Sequence, residues 1–188
     1  YDELRDCGNT DKELDETLCL AEKVGQYNIL RPPVLPKFDC PNNLTHNEYL
    51  RQLCRNGYKL KCANKTNKQE YIDRVKSELE LLEFANLSSY FLIVRDILEY
   101  VRKNGWLVSP GRGSCGGCLI AYLIGITAPD SIEYGMMMER FFNRGRVGAM
   151  PDIDIDVPKY SRELVIQYLK NKYGFENVAQ VVTFHTLK

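Results

Sequence analysis

The sequence predicts an α+β fold in which helices outnumber strands. Apolar residues recur at helical spacing through most of the chain, and two short segments have the alternation or the β-branched composition of strands. The 188 residues are enough for a domain with an ordinary hydrophobic core. We expect one structural domain overall, with a helical N-terminal region at 1–87 and a core region at 88–188.

The predicted helices follow from apolar spacing and from capping residues. Asp11 is a candidate N-cap, and Thr45 and Glu48 have the spacing of a capping box. A proline-rich connector at 31–43 separates the first two helices, because proline cannot continue a helix. The clearest apolar stripe contains Ile72, Val75, Leu79 and Leu82. The predicted helices cover 11–24, 45–57, 69–84, 88–101, 114–126 and 161–173.

Extended segments are predicted only in the second half of the chain. A short extended piece at 106–108 leads into a glycine-rich loop, and 130–134 is polar and turn-like. Residues 150–157 form the first predicted strand, and 178–184 has the β-branched character of a final strand.

The predicted strand at 150–157 is acidic on one face. Asp152, Asp154 and Asp156 alternate with apolar residues, and alternate side chains of a strand point to the same face. Three carboxylates that close together repel one another unless cations neutralise them. The segment therefore suggests a divalent-metal site, and the alternative is an edge strand with a solvated acidic face.

A glycine-rich loop at 110–117 precedes the predicted helix at 114–126. Unpaired backbone amides and the positive end of the helix dipole favour phosphate oxygens at such a helix start. Arg112 could add a bidentate phosphate contact. The alternative is a tight packing turn with Ser114 as N-cap.

The same loop also matches a dinucleotide-binding fingerprint. Gly111, Gly113 and Gly116 have the required spacing, and Glu133 falls near the position of its acidic residue. We discount this match because the preceding strand is too short and Pro110 interrupts it.

Composition narrows the possible functions. The 25 basic and 25 acidic residues cancel, so a polyanion would have to be held by local groups. The apolar runs are too short to span a bilayer, and no membrane partner is expected. Seven scattered cysteines indicate reduced thiols in a cytoplasmic protein.

The cysteine and histidine positions do not suggest a metal site. Cys115 and Cys118 match C-x-x-C, but a redox role needs a βαβ context and a zinc site needs a second ligand pair. We interpret them as small buried residues at a helix start. His46 and His185 have no matching ligand set, and neither is assigned a metal.

The glycine-rich loop and the acidic strand together indicate a nucleotidyl transferase. In such enzymes a turn holds the nucleoside triphosphate, and aspartates hold two divalent ions that bridge the attacking hydroxyl, the α-phosphate and the leaving pyrophosphate. Either motif alone has low specificity, whereas the two in this order are far more specific.

Six segments resemble, in order, the C-family replicative DNA polymerases, the bacterial DNA polymerase III alpha subunits. The resemblance is densest over 88–188 and continues more faintly toward the N-terminus. The matching segments are SYFLIVRD at 89–96, PGRGS at 110–114, LIAYLIGIT at 119–127, MERFFN at 138–143, MPDIDID at 150–156 and VAQVVTF at 178–184.

The resemblance implies a polymerase-β-like nucleotidyltransferase palm, in which helices flank a mixed sheet. Asp152 and Asp154 match the catalytic, metal-binding palm aspartates of the family, and Asp156 is an accessory metal ligand. The implied cofactor is a pair of Mg²⁺ ions, for which Mn²⁺ could substitute.

The resemblance also implies contacts to the incoming nucleotide. The residues that match the family's Gly-Ser motif and its arginines near the triphosphate are Gly113, Ser114, Arg112, Arg140 and Arg146. For Arg140 the structural alternative is an ion pair with Glu139 or Asp130.

The implied activity is that of a DNA-directed DNA polymerase acting on dNTPs and primer–template DNA. Family members carry a phosphoesterase-like domain before this region, a thumb after it, and fingers preceded by a third catalytic aspartate. None of these lies within the 188 residues, so we expect the isolated chain to be inactive. Its expected partners are the remaining polymerase domains, a sliding clamp and other replisome subunits.

Two alternative functions stay open. One is a catalytically silent palm-like module that binds a nucleotide or a partner polymerase fragment. The other is a small self-sufficient nucleotidyl transferase, which would need a further carboxylate on an adjacent strand. The predicted strand at 178–184 offers none.

Overall fold

The computed structural model describes residues 2–25, 34–146 and 150–181. The chain divides into two compact units, Tyr1–Val34 and Leu35–Lys188. All residues of the candidate site that the structure describes belong to the larger unit. The functional division into 1–87 and 88–188 stays a prediction.

The smaller unit contains the helices α1 (Asp2–Asp6) and α2 (Asp11–Lys23). Thr10 caps α2, because its hydroxyl accepts a hydrogen bond from the Glu13 amide and the Glu13 carboxylate accepts one from the Thr10 amide. The predicted helix is confirmed, and its N-cap is Thr10 rather than Asp11.

The larger unit is built from five α-helices among its described residues, joined by short 3₁₀ turns. The predicted capping box at the start of the first is confirmed, since Thr45 and Glu48 form both of its hydrogen bonds. None of the described helices combines the length and apolar character needed to cross a bilayer. The five are α3 (His46–Lys61), α4 (Lys68–Phe84), α5 (Ser88–Lys103), α6 (Leu119–Leu123) and α7 (Arg162–Tyr173).

Helix α3 continues four residues beyond Gly57, where the sequence predicts its end. Gly57 serves packing instead, because a Cβ at this position would lie 2.2 Å from the Leu123 carbonyl oxygen of α6. The absence of a side chain therefore lets α3 and α6 approach each other closely.

The predicted α+β fold with a mixed sheet is wrong for the part of the chain that the structure describes, which contains helices and irregular segments but no strand. Among the described residues the segment at 150–157 has no ladder partner: the Ile153 amide donates to the Tyr90 hydroxyl, and the Ser109 amide donates to the Asp156 carbonyl. Alternation sets the side-chain faces of an extended segment, but a strand also needs a neighbouring backbone within hydrogen-bond distance. Of the predicted strand at 178–184, the described residues 178–181 are irregular and the others lie outside the described residues.

Helices α3, α4, α5 and α6 share one hydrophobic core. Its side chains with almost no exposure include Leu50, Leu82, Phe91, Leu98, Ile120 and Phe142. The predicted stripe of α4 is only partly buried, since Ile72 is 49% exposed while Tyr71 and Glu78 are buried. Helix α4 presents Glu78 inward because backbone amides of α6 bind its carboxylate.

A polar cluster joins α5 to α7. The Asp96 carboxylate accepts hydrogen bonds from the Tyr168 and Tyr173 hydroxyls, each at 2.9 Å, and from the Lys172 ammonium at 2.5 Å. The Tyr100 and Tyr168 rings stack with centroids 3.9 Å apart. These contacts connect α7, the helix after the acidic segment, to α5 of the core.

Candidate functional site

The acidic segment at 150–157 runs extended along the core. Ile153 and Ile155 are half-buried and pack against the core, whereas Asp152 and Asp156 are exposed. The predicted division into an apolar and an acidic face thus holds for Ile153 and Ile155 against Asp152 and Asp156, whereas the Asp154 side chain is 37% exposed. The segment pairs with no other strand among the described residues.

Arg112 binds two of the three aspartates. Its Nε lies 3.1 Å and 3.0 Å from the two Asp156 carboxylate oxygens, and its Nη1 lies 3.1 Å from Asp154 Oδ2. The Arg112 side chain is 55% exposed, so water screens the attraction and each ion pair contributes little to stability. A guanidinium thus supplies the positive charge that the aspartate alternation requires.

Gly113 brings the Gly-Ser turn against the acidic segment. Its φ of +69° lies in the left-handed region, and a Cβ on it would lie 3.3 Å from Asp154 Oδ2. A larger residue would be strained in this conformation and would crowd the Asp154 carboxylate. The structure therefore brings together the two motifs that the sequence separates by about forty residues.

A cavity of about 570 Å³ adjoins this turn. It brings three of the five predicted nucleotide-binding residues together, namely Gly113, Ser114 and Arg140. No described carboxylate forms an ion pair with Arg140, and Asp130 is bound instead by Tyr71 and Lys65. The residues that line the cavity are Gly113, Ser114, Gly117, Tyr134, Gly135, Met136, Met137 and Arg140.

Arg146 lies apart from the described lining of this cavity, in the exposed 3₁₀ turn Arg144–Arg146. Its amide donates to the Asn143 carbonyl. The residues that follow, 147–149, lie outside the described part of the chain.

The helix predicted over 114–126 is shorter and interrupted. Gly113–Gly117 forms a 3₁₀ turn, and α6 begins only at Leu119. The Leu119 and Ile120 amides donate to the two Glu78 carboxylate oxygens at 3.1 Å and 2.9 Å. Glu78 thus takes the amides at the start of α6, whereas Gly113 and Ser114, the residues predicted to bind phosphate, lie in the preceding 3₁₀ turn.

Arg74 and Glu78 form an ion pair on α4 that the sequence did not single out, in which Glu78 is buried and the Arg74 side chain is 25% exposed. Arg74 Nε donates to Glu78 Oε1 at 2.6 Å, and its Nη2 lies 3.0 Å from the Gly117 carbonyl and 3.3 Å from the Met136 carbonyl. Burial raises the pKa of Glu78. The hydrogen bonds from Arg74 and from the Ile120 and Leu119 amides lower it by a smaller amount. In the sequence, an arginine and a glutamate four residues apart look like an ordinary ion pair on a helix surface. Only the fold shows that the Glu78 carboxylate is buried.

Tyr90 is a third residue that sequence reasoning missed. Its hydroxyl accepts a 3.1 Å hydrogen bond from the Ile153 amide, between two aspartates. Burial raises the pKa of Tyr90 to about 12, and the negative charges of Asp152 and Asp154 contribute to the increase. Tyr90 therefore stays neutral at physiological pH and anchors the acidic segment.

The cysteines of the C-x-x-C motif are buried free thiols. Burial raises the pKa of Cys115 to about 12, and the Cys118 thiol donates to Glu78 Oε2 at 3.4 Å. The predicted packing role of these two residues at a helix start is supported. His46 contacts the Phe38 carbonyl, and His185 lies outside the described residues.

The carboxylates fit a hard divalent cation only in part. Mg²⁺ and Mn²⁺ prefer oxygen ligands, which Asp152 and Asp154 provide, and Arg112 engages only one oxygen of Asp154. Across the described ranges no group of three or more His, Cys, Asp or Glu side chains is arranged to hold an ion. Complete coordination would need further oxygen ligands from elsewhere.

Comparisons with known proteins identify the family of this chain. Residues 48–188 match the family described as "Bacterial DNA polymerase III alpha NTPase domain". The DNA polymerase III subunit alpha of Aquifex aeolicus is 46% identical over 183 residues, which cover 95% of this chain and 16% of that protein. The subunit of Bacillus subtilis is 40% identical over 153 residues, covering 81% of this chain and 14% of that protein.

A third relative, the DNA polymerase III subunit alpha of Halalkalibacterium halodurans, is 41% identical over 174 residues, or 93% of this chain and 15% of that protein. The chain thus spans about one sixth of the length of the curated relatives that it matches. The resemblance seen in the sequence is confirmed: the chain belongs to the bacterial DNA polymerase III alpha family.

Proposed function

We propose that this chain supplies the palm aspartates and the triphosphate-binding loop of a C-family DNA polymerase. The reaction is transfer of a deoxynucleoside monophosphate from a dNTP to a primer 3′-hydroxyl. One observation above all supports the proposal: Gly113 of the Gly-Ser turn lies against Asp154, with 3.3 Å between a Cβ position and the carboxylate oxygen. A triphosphate on the turn would therefore lie beside the carboxylates.

Each candidate residue has a role in this proposal. Asp152 and Asp154 are the catalytic metal ligands, and Asp156 is an accessory ligand. Gly113 and Ser114 contact the triphosphate along the cavity of about 570 Å³. The arginines that bind its phosphates are Arg112, Arg140 and Arg146.

Arg112 links the two halves of the proposed site. It binds Asp154 and Asp156, and its exposure makes those ion pairs easy to exchange. Because a guanidinium binds phosphate in a bidentate manner, an incoming triphosphate draws Arg112 away from the carboxylates. Nucleotide binding thereby releases the Asp154 and Asp156 carboxylates from Arg112, so that they can bind metal.

The proposed cofactor is a pair of Mg²⁺ ions, replaceable by Mn²⁺, and Asp152 and Asp154 would hold them. Such ions activate the attacking hydroxyl and stabilise the charge on the leaving pyrophosphate. The described carboxylates provide only part of the ligand set, so triphosphate oxygens, water and a carboxylate from another polymerase segment would complete it.

The proposed partners follow from the short span of the chain relative to its relatives. They are a dNTP, primer–template DNA, the thumb and fingers with the third aspartate, and the phosphoesterase-like domain. A sliding clamp and other replisome subunits are further proposed partners in the cytoplasm. We expect no template-directed synthesis by the isolated chain, and robust extension by purified material would overturn that expectation.

Titration of the chain with dATP and Mn²⁺ tests whether the two motifs form one site. Amide signals of 152–156 and of Gly113 and Ser114 should change together in NMR spectra. In a complete polymerase that contains this segment, Asp152→Asn and Asp154→Asn should each abolish incorporation and preserve the fold. Asp73→Asn on the exposed face of α4 is the control. Near-normal rates for either site variant would rule out the assignment.

A catalytically silent module is the second candidate function. Its supporting observation is that Arg112 already pairs with two of the three aspartates, as in a degenerate site retained for its structure. In that case the complete polymerase would lose no activity in the Asp152→Asn and Asp154→Asn variants. The same measurement therefore separates the two functions.

A further inference from the structure

We propose that the half-buried Arg74 and the buried Glu78 form a positioning device that holds the two walls of the triphosphate cavity at a fixed separation. The inference rests on the proposed function, because it treats the cavity beside Gly113 and Ser114 as the triphosphate site. Neither residue lines the cavity, so both act through the backbone that they bind.

The pair contacts both walls directly. One wall is the Gly113–Gly117 turn, and Arg74 Nη2 lies 3.0 Å from the Gly117 carbonyl oxygen. The other wall includes Met136, whose carbonyl oxygen lies 3.3 Å from the same nitrogen. A single guanidinium nitrogen thus bridges the two cavity walls.

Glu78 fixes the guanidinium and the end of the first wall. One carboxylate oxygen binds Arg74 at 2.6 Å and the Leu119 amide at 3.1 Å, and the other binds the Ile120 amide at 2.9 Å. Glu78 is only 2% exposed, so its orientation is set by these hydrogen bonds rather than by solvent. The start of α6 and the Arg74 fork therefore move as one group.

The two cavity walls come into contact at Gly117, where there is no room for a side chain. A Cβ on Gly117 would lie 2.4 Å from the Met137 carbonyl oxygen, which is closer than non-bonded atoms approach. Arg74 binds the carbonyls of Gly117 and Met136 at this same contact. Arg140 follows three residues after Met137, so the contact sets the distance from Gly113 and Ser114 to Arg140 across the cavity.

The burial of Glu78 favours a positioning role for the pair over a general stabilising role. An ion pair with a buried member often contributes less to stability than apolar residues of the same size, because the buried charge, here that of Glu78, loses its hydration. The pair forms directional hydrogen bonds to four backbone groups of the cavity walls and α6. Apolar residues could not form them. Such hydrogen bonds fix geometry.

The test compares Arg74→Lys with Arg95→Lys in the 188-residue chain. Lysine keeps the charge but has one nitrogen, so it cannot hold Glu78 and both carbonyls in the fork geometry of arginine. Arg95 and Glu99 form an i, i+4 pair on α5 with no part in the cavity lining, which makes Arg95→Lys the matched control. Glu78→Gln, which keeps side-chain volume, is the second variant if Arg74→Lys is unfolded at the assay temperature.

Two measurements decide the inference. Hydrogen exchange should become faster at the amides of 113–118 and 134–138 in Arg74→Lys and stay unchanged in Arg95→Lys. The dissociation constant for dATP with Mg²⁺ should rise about tenfold, equivalent to roughly 1.4 kcal/mol, in Arg74→Lys alone. Unchanged exchange and affinity in folded Arg74→Lys and Glu78→Gln would overturn the inference.

The design separates this inference from the proposed function. If the wild-type chain binds no dATP, the proposed triphosphate site is wrong, and the exchange measurement alone still decides whether Arg74 holds the two walls. If dATP binds with equal affinity to the wild type and Arg74→Lys, the positioning role is wrong while the proposed site stands.

Discussion

Two arginine–carboxylate clusters of the larger unit have the same chemistry and opposite surroundings. Glu78 of the first is 2% exposed, and its carboxylate accepts hydrogen bonds from Arg74 and from two backbone amides. Arg112 of the second is 55% exposed, and it binds Asp154 and Asp156 with no further anchor among the described residues. The two clusters contact opposite ends of the Gly113–Gly117 turn. Arg74 binds the Gly117 carbonyl, and Asp154 lies against Gly113.

The difference in exposure makes the contact of Arg74 with Glu78 permanent and the contacts of Arg112 exchangeable. Charges buried without water must keep their partners, because an unpaired buried charge is very unfavourable. Charges in water lose little when a partner leaves, since water replaces it. We infer that the Arg74–Glu78 cluster maintains the cavity and that the Arg112 cluster exchanges its carboxylates for ligand.

The largest expected effect comes from Glu78→Ala. It leaves the Arg74 guanidinium without its carboxylate and the Leu119 and Ile120 amides without acceptors. We expect a loss of about 3–5 kcal/mol in the free energy of unfolding, measured by urea denaturation. The control is Glu99→Ala, which breaks a more exposed i, i+4 pair and should cost less than about 1 kcal/mol. Similar losses in both variants would contradict the distinction between buried and exposed pairs.

An intermediate effect is expected for Asp130, a buried carboxylate that binds one neutral partner, the Tyr71 hydroxyl, and one charged partner, the Lys65 ammonium. Burial alone would raise the pKa of Asp130, but hydrogen bonds from the Tyr71 hydroxyl, the Lys65 ammonium and nearby amides outweigh it and lower the pKa. Because the folded pKa lies below the unfolded value, this stabilisation is complete above about pH 4 to 5 and is lost as the pH falls through the folded pKa.

Asp130→Asn should therefore cost about 1.5–3 kcal/mol at pH 7, and the difference from the wild type should shrink on acidification. Denaturation curves between pH 7 and pH 2 would measure it. A difference that stays constant down to pH 2 would show that the charge of Asp130 is not what its neighbours recognise.

The smallest effect on stability is expected for Arg112→Gln. The free energy of unfolding should change by less than about 1 kcal/mol, because both ion pairs are exposed. Affinity for Mn²⁺ alone should rise by up to about fivefold as Asp154 and Asp156 lose their competitor, whereas affinity for dATP should fall. Paramagnetic broadening of the amides at 152–156 would follow the metal, and the gain should diminish in 1 M salt. A large loss of stability would mean that Arg112 is part of the scaffold.

Much of the helical structure could be predicted from the sequence. The capping box at Thr45 and Glu48 depends on residues only three positions apart, and the helices α4, α5 and α7 have apolar spacing that persists over several turns. The alternation of aspartates correctly predicted which side chains of 150–157 face the core. These features are local, so sequence spacing carries them.

The sheet could not be predicted correctly, because strand pairing is not a local property. The segment at 150–157 is extended as expected, yet its Ile153 amide binds a tyrosine hydroxyl instead of a neighbouring strand. The interruption of the predicted helix at 114–126 has a similar cause. Gly117 must meet the Met137 carbonyl closely, and Glu78 from another helix takes the amides at the start of α6.

The sequence by itself determined the family, the position of the two motifs and the residues that we propose for nucleotide and metal binding. Only the tertiary structure decided which groups meet: Arg112 on the aspartates, Gly113 against Asp154, and Arg74 with Glu78 behind the cavity. The physical reason is that residue type and spacing define what a side chain can bind, whereas burial and partners far along the chain define what it does bind.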